Sequence, residues 1–165
     1  MTRKSPYYRN HVRHGVLDMA ELIYLDYNCF QRGFDDSRQH RIRLEAEACE
    51  KIFEDAENGE VELAWSFMHE DENRVCPFVD RAQEVVRLAA ICRVRIGPEE
   101  PIRISAARIQ AVAGLSAKDA LHVAAAEHAK AAWFVTCDDE IVSKAGRLPV
   151  ALLVINPVDY VQKRW

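Results

Sequence analysis

Four acidic side chains, Asp26, Glu72, Asp119 and Asp138, lie near junctions between strand-like and helical segments. Asp26 closes the run Leu22-Ile23-Tyr24-Leu25, and Glu72 follows Val61-Glu62-Leu63-Ala64-Trp65-Ser66 within a helical stretch. Asp119 lies in the first turn of an alanine-rich segment opening at Ser116, and Asp138 comes two residues after Thr136. Clustered carboxylates raise one another's pKa unless a divalent cation neutralises them. Hard oxygen donors suit Mg²⁺ or Mn²⁺ rather than zinc. Such a site supports phosphodiester hydrolysis, in which one or two ions activate a water and stabilise charge on the phosphoryl oxygens and leaving group.

Each acid also has a purely structural role open to it. Asp26 can cap a following turn or helix. Ser116-Ala117-Lys118-Asp119 fits a capping-box variant. Thr136-Cys137-Asp138-Asp139 fits the same pattern, with Asp139 in the reciprocal role and Asp138 free. Glu72 belongs to a charged run with Glu70 and Asp71. One such coincidence is ordinary; recurrence in the same strand-end setting points to a shared site.

The elements around these acids read as alternating strands and helices. Leu22–Leu25 is a continuous apolar run, as expected for a strand buried on both faces of a parallel sheet. Helical periodicity runs from Ser37 to Asn58, with Ile42, Ala46, Cys49, Phe53 and Ala56 on one face and Asn58-Gly59 as its stop. A second strand spans 61–66, a helical turn follows to Asn73, and an amphipathic helix covers 78–92 with Val79, Ala82, Val85, Val86, Ala89 and Ala90 inward. Further strands are expected at 93–96, 133–136 and 150–155, with helices at 104–113, 116–132 and 138–145 and a short terminal helix. Such alternation implies an α/β/α domain with a mainly parallel sheet. Acids beyond the carboxyl ends of its strands would meet along one edge, where open α/β sheets bind ligands.

The 165 residues suffice for one domain with a sizeable core. The net charge of −4 gives no global basic field, which weighs against tight, nonspecific nucleic-acid binding but leaves room for a local basic rim. Five cysteines, Cys29, Cys49, Cys76, Cys92 and Cys137, contain no CxxC pair, and their spacing matches neither a zinc site nor a small disulfide framework. Reduced, mostly buried thiols are expected, in a cytoplasmic protein. No stretch approaches the ~20 apolar residues of a membrane span. Residues 1–18 form a basic leader with Arg3, Lys4, Arg9, Arg13, His11 and His14, read as an RNA- or partner-binding arm, as disordered, or as sequence upstream of a start at Met19. The domain proper is expected over 19–165.

From about Glu21 to the C-terminus the chain resembles PIN domains (the PilT N-terminus family), whose best-known bacterial members are VapC-type toxin ribonucleases. Leu22 to Asn28 resembles the opening strand with its first acid, Asp26; Ser66 to Asn73 resembles the second motif, with Glu72 six residues after the serine. Leu115 to His122 resembles the third, around Asp119, and Phe134 to Asp139 the fourth, with Asp138 two residues after the threonine. Asn156-Pro157 after the last strand also recurs in such proteins. The resemblance implies a three-layer α/β/α sandwich with four to five strands. It implies Mg²⁺ or Mn²⁺ held by Asp26, Glu72, Asp119 and Asp138, with Asn28, Ser66, Thr136 and Asp139 in support. Glu70 competes with Glu72 for the second position, and Asp139 with Asp138 for the fourth. Single-stranded RNA would be the substrate, guided loosely by Lys118, Arg32 or Arg74. An antitoxin protein that covers the groove or inserts an arginine, and a homodimer, are implied partners. The alternative is a PIN-like RNA-binding or protein-interaction module without catalysis. An aspartyl phosphotransfer enzyme would want a second aspartate where this chain has Asn28.

Overall fold

The computed structural model describes residues 20–164; the basic leader with His11 and His14 lies outside the described residues. Strands β1 (Glu21–Leu25), β2 (Val61–Ser66), β3 (Val94–Ile96), β4 (Trp133–Val135) and β5 (Leu153–Ile155) form one sheet in the order β3-β2-β1-β4-β5. Every neighbouring pair is parallel. Parallel neighbours need crossover connections, and helices supply them. These are α1 (Tyr27–Gln31) and α2 (His40–Glu57), then α3 (Phe67–Arg74) and α4 (Val79–Ala89), then α5 (Glu100–Ala113) and α6 (Ala117–His128). α7 (Asp139–Lys144) joins β4 to β5, and α8 (Pro157–Arg164) follows.

The central strand shows why the fold has three layers. Ile23 and Leu25 point into a core shared with Phe30, Cys49, Ile52, Phe53 and Val85, while Tyr24 points into the opposite core with Ile102, Ile109, Val123 and Phe134. All of β1 beyond Leu22 is buried, as a strand covered on both faces requires. On the second face Ala120, Ala124, Ala125 and Ala126 of α6 are fully buried, so small side chains bring the helix close to its neighbours. Gly114 ends α5 in the left-handed conformation (φ 68°), which a side chain would disfavour.

Several boundaries differ from the sequence reading for physical reasons. α5 begins at Glu100 rather than 104, because Pro101 occupies its first turn, where a missing N–H costs nothing. β5 begins at Leu153 rather than 150; Leu148 and Leu152 serve the core instead of the ladder. α6 ends at His128 rather than 132. In α4 only Val85 and Ala89 are buried, whereas Val79 and Val86 are 67% and 60% exposed, so the expected inner face is narrower. In α2 the buried face includes two carboxylates, Glu45 and Asp55, in place of Ile42 and Ala46. Glu45 accepts from Arg32, from Arg41 Nε (2.9 Å) and from Asn156 Nδ2 (2.8 Å), and Asp55 is paired with Lys51. Arg32, expected as a loose guide for nucleic acid, is therefore committed to Glu45 and Asp35.

Candidate functional site

The carboxyl ends of β1, β2 and β4 lie side by side, since Tyr24 pairs with Ala64 and Leu25 with Val135. Asp26, the first residue past β1, is extended (φ −62°, ψ 153°) and caps α1 by accepting from the Tyr27 N–H at 2.7 Å. Its other oxygen accepts from Thr136 Oγ1 (2.7 Å) and Asn28 Nδ2 (2.8 Å). Capping and site placement are thus the same geometry. Burial raises the Asp26 pKa, and the nearby His122 charge and the Thr136 hydroxyl only partly offset that. Thr136 also accepts from the Asp138 N–H at 3.0 Å, so one hydroxyl ties β1 to the start of α7.

Glu72, on α3, meets Asp26 from the other side. One ligand atom each of Asp26, Glu72 and His122 fall within 4.8 Å of one another. Glu72 Oε1 accepts from His122 Nε2 at 2.5 Å, and Oε2 from Lys118 Nζ at 2.9 Å. Burial pushes the Glu72 pKa up, but His122 and Lys118 outweigh it and hold the carboxyl below its ordinary value. A buried polar chain continues from this pair. His122 Nδ1 lies 2.8 Å from Tyr24 Oη, which lies 2.6 Å from Ser66 Oγ. Ser66 N–H donates to His69 Nδ1 (3.0 Å), so the other ring nitrogen of neutral His69 carries the proton and donates to the Leu25 carbonyl (2.7 Å). Ser66 therefore fixes α3 and Tyr24 rather than a carboxylate.

The remaining acids stand differently. Asp119 accepts from the Ser116 hydroxyl at 2.6 Å, while its own N–H donates back to that oxygen at 3.1 Å. Asp138, not Thr136, is the N-cap of α7, accepting from the Glu140 N–H at 2.7 Å. Asp139 is exposed and held by Arg41 Nη1 at 2.6 Å. Glu70 accepts from Trp65 Nε1 at 3.1 Å, so Glu72 is the glutamate facing Asp26. Arg74 pairs with Asp71 at the surface. The structure thus gathers Asp26 and Glu72, links Asp138 to them through Thr136, and leaves Asp119 on its own cap.

The sequence pattern of the PIN domain family matches residues 23–147, from β1 past α7. The chain belongs to the PIN domain family. Among solved structures, the PIN domain is similar to VapBC2 from Rickettsia felis bound to a DNA fragment from its promoter. The identity is 16% and the TM-score 0.51, over 82% of this chain and 98% of that one. It is also similar to PAE2754 from Pyrobaculum aerophilum, at 18% identity and TM-score 0.50, over 88% of this chain and 97% of that one. These likenesses are likenesses of fold. No curated protein matches it significantly.

The donor set suits the divalent ion that a PIN domain implies. Asp26 Oδ1 accepts one hydrogen bond and each Glu72 oxygen one, which leaves lone pairs for a hard cation. The Lys118 ammonium stands in for such a charge, since Glu72, Asp119 and Asp26 all raise its pKa, Glu72 most. His122 is better placed to orient than to ligate, because both its ring nitrogens are engaged, one by Glu72 and one by Tyr24. His122 and Tyr24 are the site residues that the sequence reading missed. The signal was present: His122 follows Asp119 by three residues, on nearly the same helix face, and Tyr24 is a polar-tipped side chain within an otherwise aliphatic strand.

Proposed function

We propose that this PIN domain is a Mg²⁺- or Mn²⁺-dependent endoribonuclease that hydrolyses phosphodiester bonds of single-stranded RNA. The observation that carries the reading is the convergence of buried Asp26 with Glu72 at the carboxyl edge of the parallel sheet. Asp26 and Glu72 would hold the ion, with Asp119 and Asp138 completing the acid set directly or through water. When bound, the ion lowers the pKa of a coordinated water and stabilises charge on the phosphoryl group. The chain's own residues do the rest. Asn28 and Thr136 hold Asp26 in position, the Thr136 hydroxyl partly offsets the rise that burial gives its pKa, and His122 turns Glu72 toward it. Lys118, more than half exposed beside Glu72, can swing toward a phosphate once a divalent ion takes its place.

A small antitoxin protein is the proposed regulatory partner, supported by the likeness to VapBC2, which was solved with promoter DNA. A homodimer is the proposed assembly. Among the described residues no helix is long and apolar enough to cross a membrane, and a cytoplasmic location agrees with an RNA substrate.

The test is cleavage of a mixed set of single-stranded RNAs by purified protein in Mn²⁺, Mg²⁺ or EDTA, beside Asp26→Ala and Asp119→Asn. Metal-dependent cleavage lost in both variants supports the reading. Equal activity in wild type and variants overturns it. Metal-independent RNA binding without cleavage would instead establish a noncatalytic module.

A further inference from the structure

On the α2 side of the sheet, behind the carboxylates, three cysteines from three segments converge. Cys29 belongs to α1, Cys49 to α2 and Cys137 to the β4–α7 connection, and their sulfurs all lie within 4.8 Å of one another. The Cys29 and Cys137 sulfurs are 3.9 Å apart, and all three residues are buried. Sulfurs bonded at about 2.3 Å to a common ion in a trigonal plane stand about 4 Å apart. A disulfide would instead need about 2.05 Å, pulling one pair together and leaving the third thiol aside. No fourth His, Cys, Asp or Glu ligand atom among the described residues joins the group. Soft thiolates suit copper(I), zinc and iron–sulfur clusters alike, but zinc in closed protein sites takes four ligands, so a group of three sulfurs favours copper(I) over zinc.

We propose that Cys29, Cys49 and Cys137 form a three-coordinate thiolate site for a soft, thiophilic ion, with copper(I) the best match. Binding forms three copper–sulfur bonds, breaks three S–H bonds and releases three protons to solvent; no electron is transferred. A groove of about 790 Å³ between α2 and α4 has Cys29 and Cys49, but not Cys137, on its lining, and is the entry route the proposal assigns to the ion. Glu47, Glu50, Glu54, Asp80 and Glu84 line the same groove against Arg43 and Arg87, an acidic balance that draws cations inward.

This site is chemically separate from the oxygen site, although Asn28 touches both. Its Oδ1 accepts from the Cys137 N–H (3.1 Å) and the Cys29 thiol (3.4 Å), while its Nδ2 donates to Asp26. The proposal therefore holds or fails independently of the nuclease reading.

The test is anaerobic titration of the reduced full chain with copper(I), against a chromophoric copper(I) chelator as competitor. One equivalent is expected in wild type, Cys76→Ser and Cys92→Ser, with affinity at least 100-fold lower in Cys49→Ser. X-ray absorption at the copper edge of the wild-type complex, which needs no variant, should show three sulfur neighbours. Two sulfur neighbours, unchanged binding in Cys49→Ser, loss in Cys76→Ser, or tighter binding of Zn²⁺ than of copper(I) would each overturn the assignment.

Discussion

His122 Nε2 and Glu72 Oε1 lie 2.5 Å apart, with the imidazole buried in α6 and the carboxylate reaching in from α3. A carboxylate is acceptor-only, so Nε2 carries the proton and the imidazole sets which way Glu72 points. Removing it in His122→Ala should weaken Mn²⁺ binding about 10–100-fold, the usual effect of losing a group that orients a ligand. Calorimetric titration of both proteins measures this directly. Equal affinity would mean that Glu72 needs no imidazole to find its place.

Lys118 makes the opposite prediction. Its ammonium sits on Glu72 and is felt by Asp119 and Asp26, so an arriving divalent ion must compete with it. Lys118→Met should therefore raise Mn²⁺ affinity, while slowing RNA cleavage if the freed ammonium serves the phosphate. A drop in metal affinity in that variant would show that the lysine helps to build the site rather than occupying it.

Thr136 is a three-way junction. Its hydroxyl donates to Asp26 in a buried bond and accepts from Asn28 Nδ2 and the Asp138 N–H in half-buried ones. Thr136→Val keeps the shape and deletes every one of these bonds, leaving the buried Asp26 oxygen with Asn28 as its remaining donor. A loss of about 2–3 kcal/mol in urea unfolding is expected. Thr136→Ser should recover most of it, and equal losses in the two variants would point to methyl packing instead.

His69 gives stability a defined acid limb. Burial and the neighbouring His122 charge push its pKa down to about 3, outweighing the Leu25 and Ser66 hydrogen bonds. Between the ordinary imidazole value near 6.5 and this folded value, the unfolded chain takes up a proton that the folded chain refuses. Stability is thus intact above about pH 6.5 and falls as pH drops toward 3, by up to roughly 4 kcal/mol from this group alone. Glu72, held low, acts in the same sense at the acid end, whereas Asp26, raised by burial, acts in the opposite one. His69→Gln should flatten the dependence between pH 6 and 4.5 in chemical denaturation. An unchanged slope would move the effect to the carboxylates.

The layers and strand count were legible in the sequence because a parallel sheet buried on both faces writes itself as unbroken apolar runs, as in Leu22–Leu25. Asp26 stood out because it follows such a run directly. What could not be read was pairing at a distance. Nothing local marks Glu45 as a buried partner of Arg32, Arg41 and Asn156. Nor does anything local turn Val79 and Val86 outward; that follows from where α4 meets the sheet. Capping was ambiguous for the same reason. Thr136 and Asp138 both suit the start of α7, and the hydroxyl goes to Asp26, 110 residues away, only once β1 and β4 are paired.

That separation has a consequence for the timing of synthesis. At about 5–20 residues per second, roughly 5–20 s pass between translation of Asp26 and of Thr136. Throughout that interval β1 has no β4 beside it, and one hydrogen-bonding flank of the central strand lies open on the ribosome. Asp26 meanwhile lacks its hydroxyl donor, and Glu72 lacks its imidazole until α6 emerges. Because β1 pairs directly with β2, Asp26 and Glu72 can approach one another in that interval, but neither yet has the donor that orients it. The fully oriented acid pair is thus a late product of strand order.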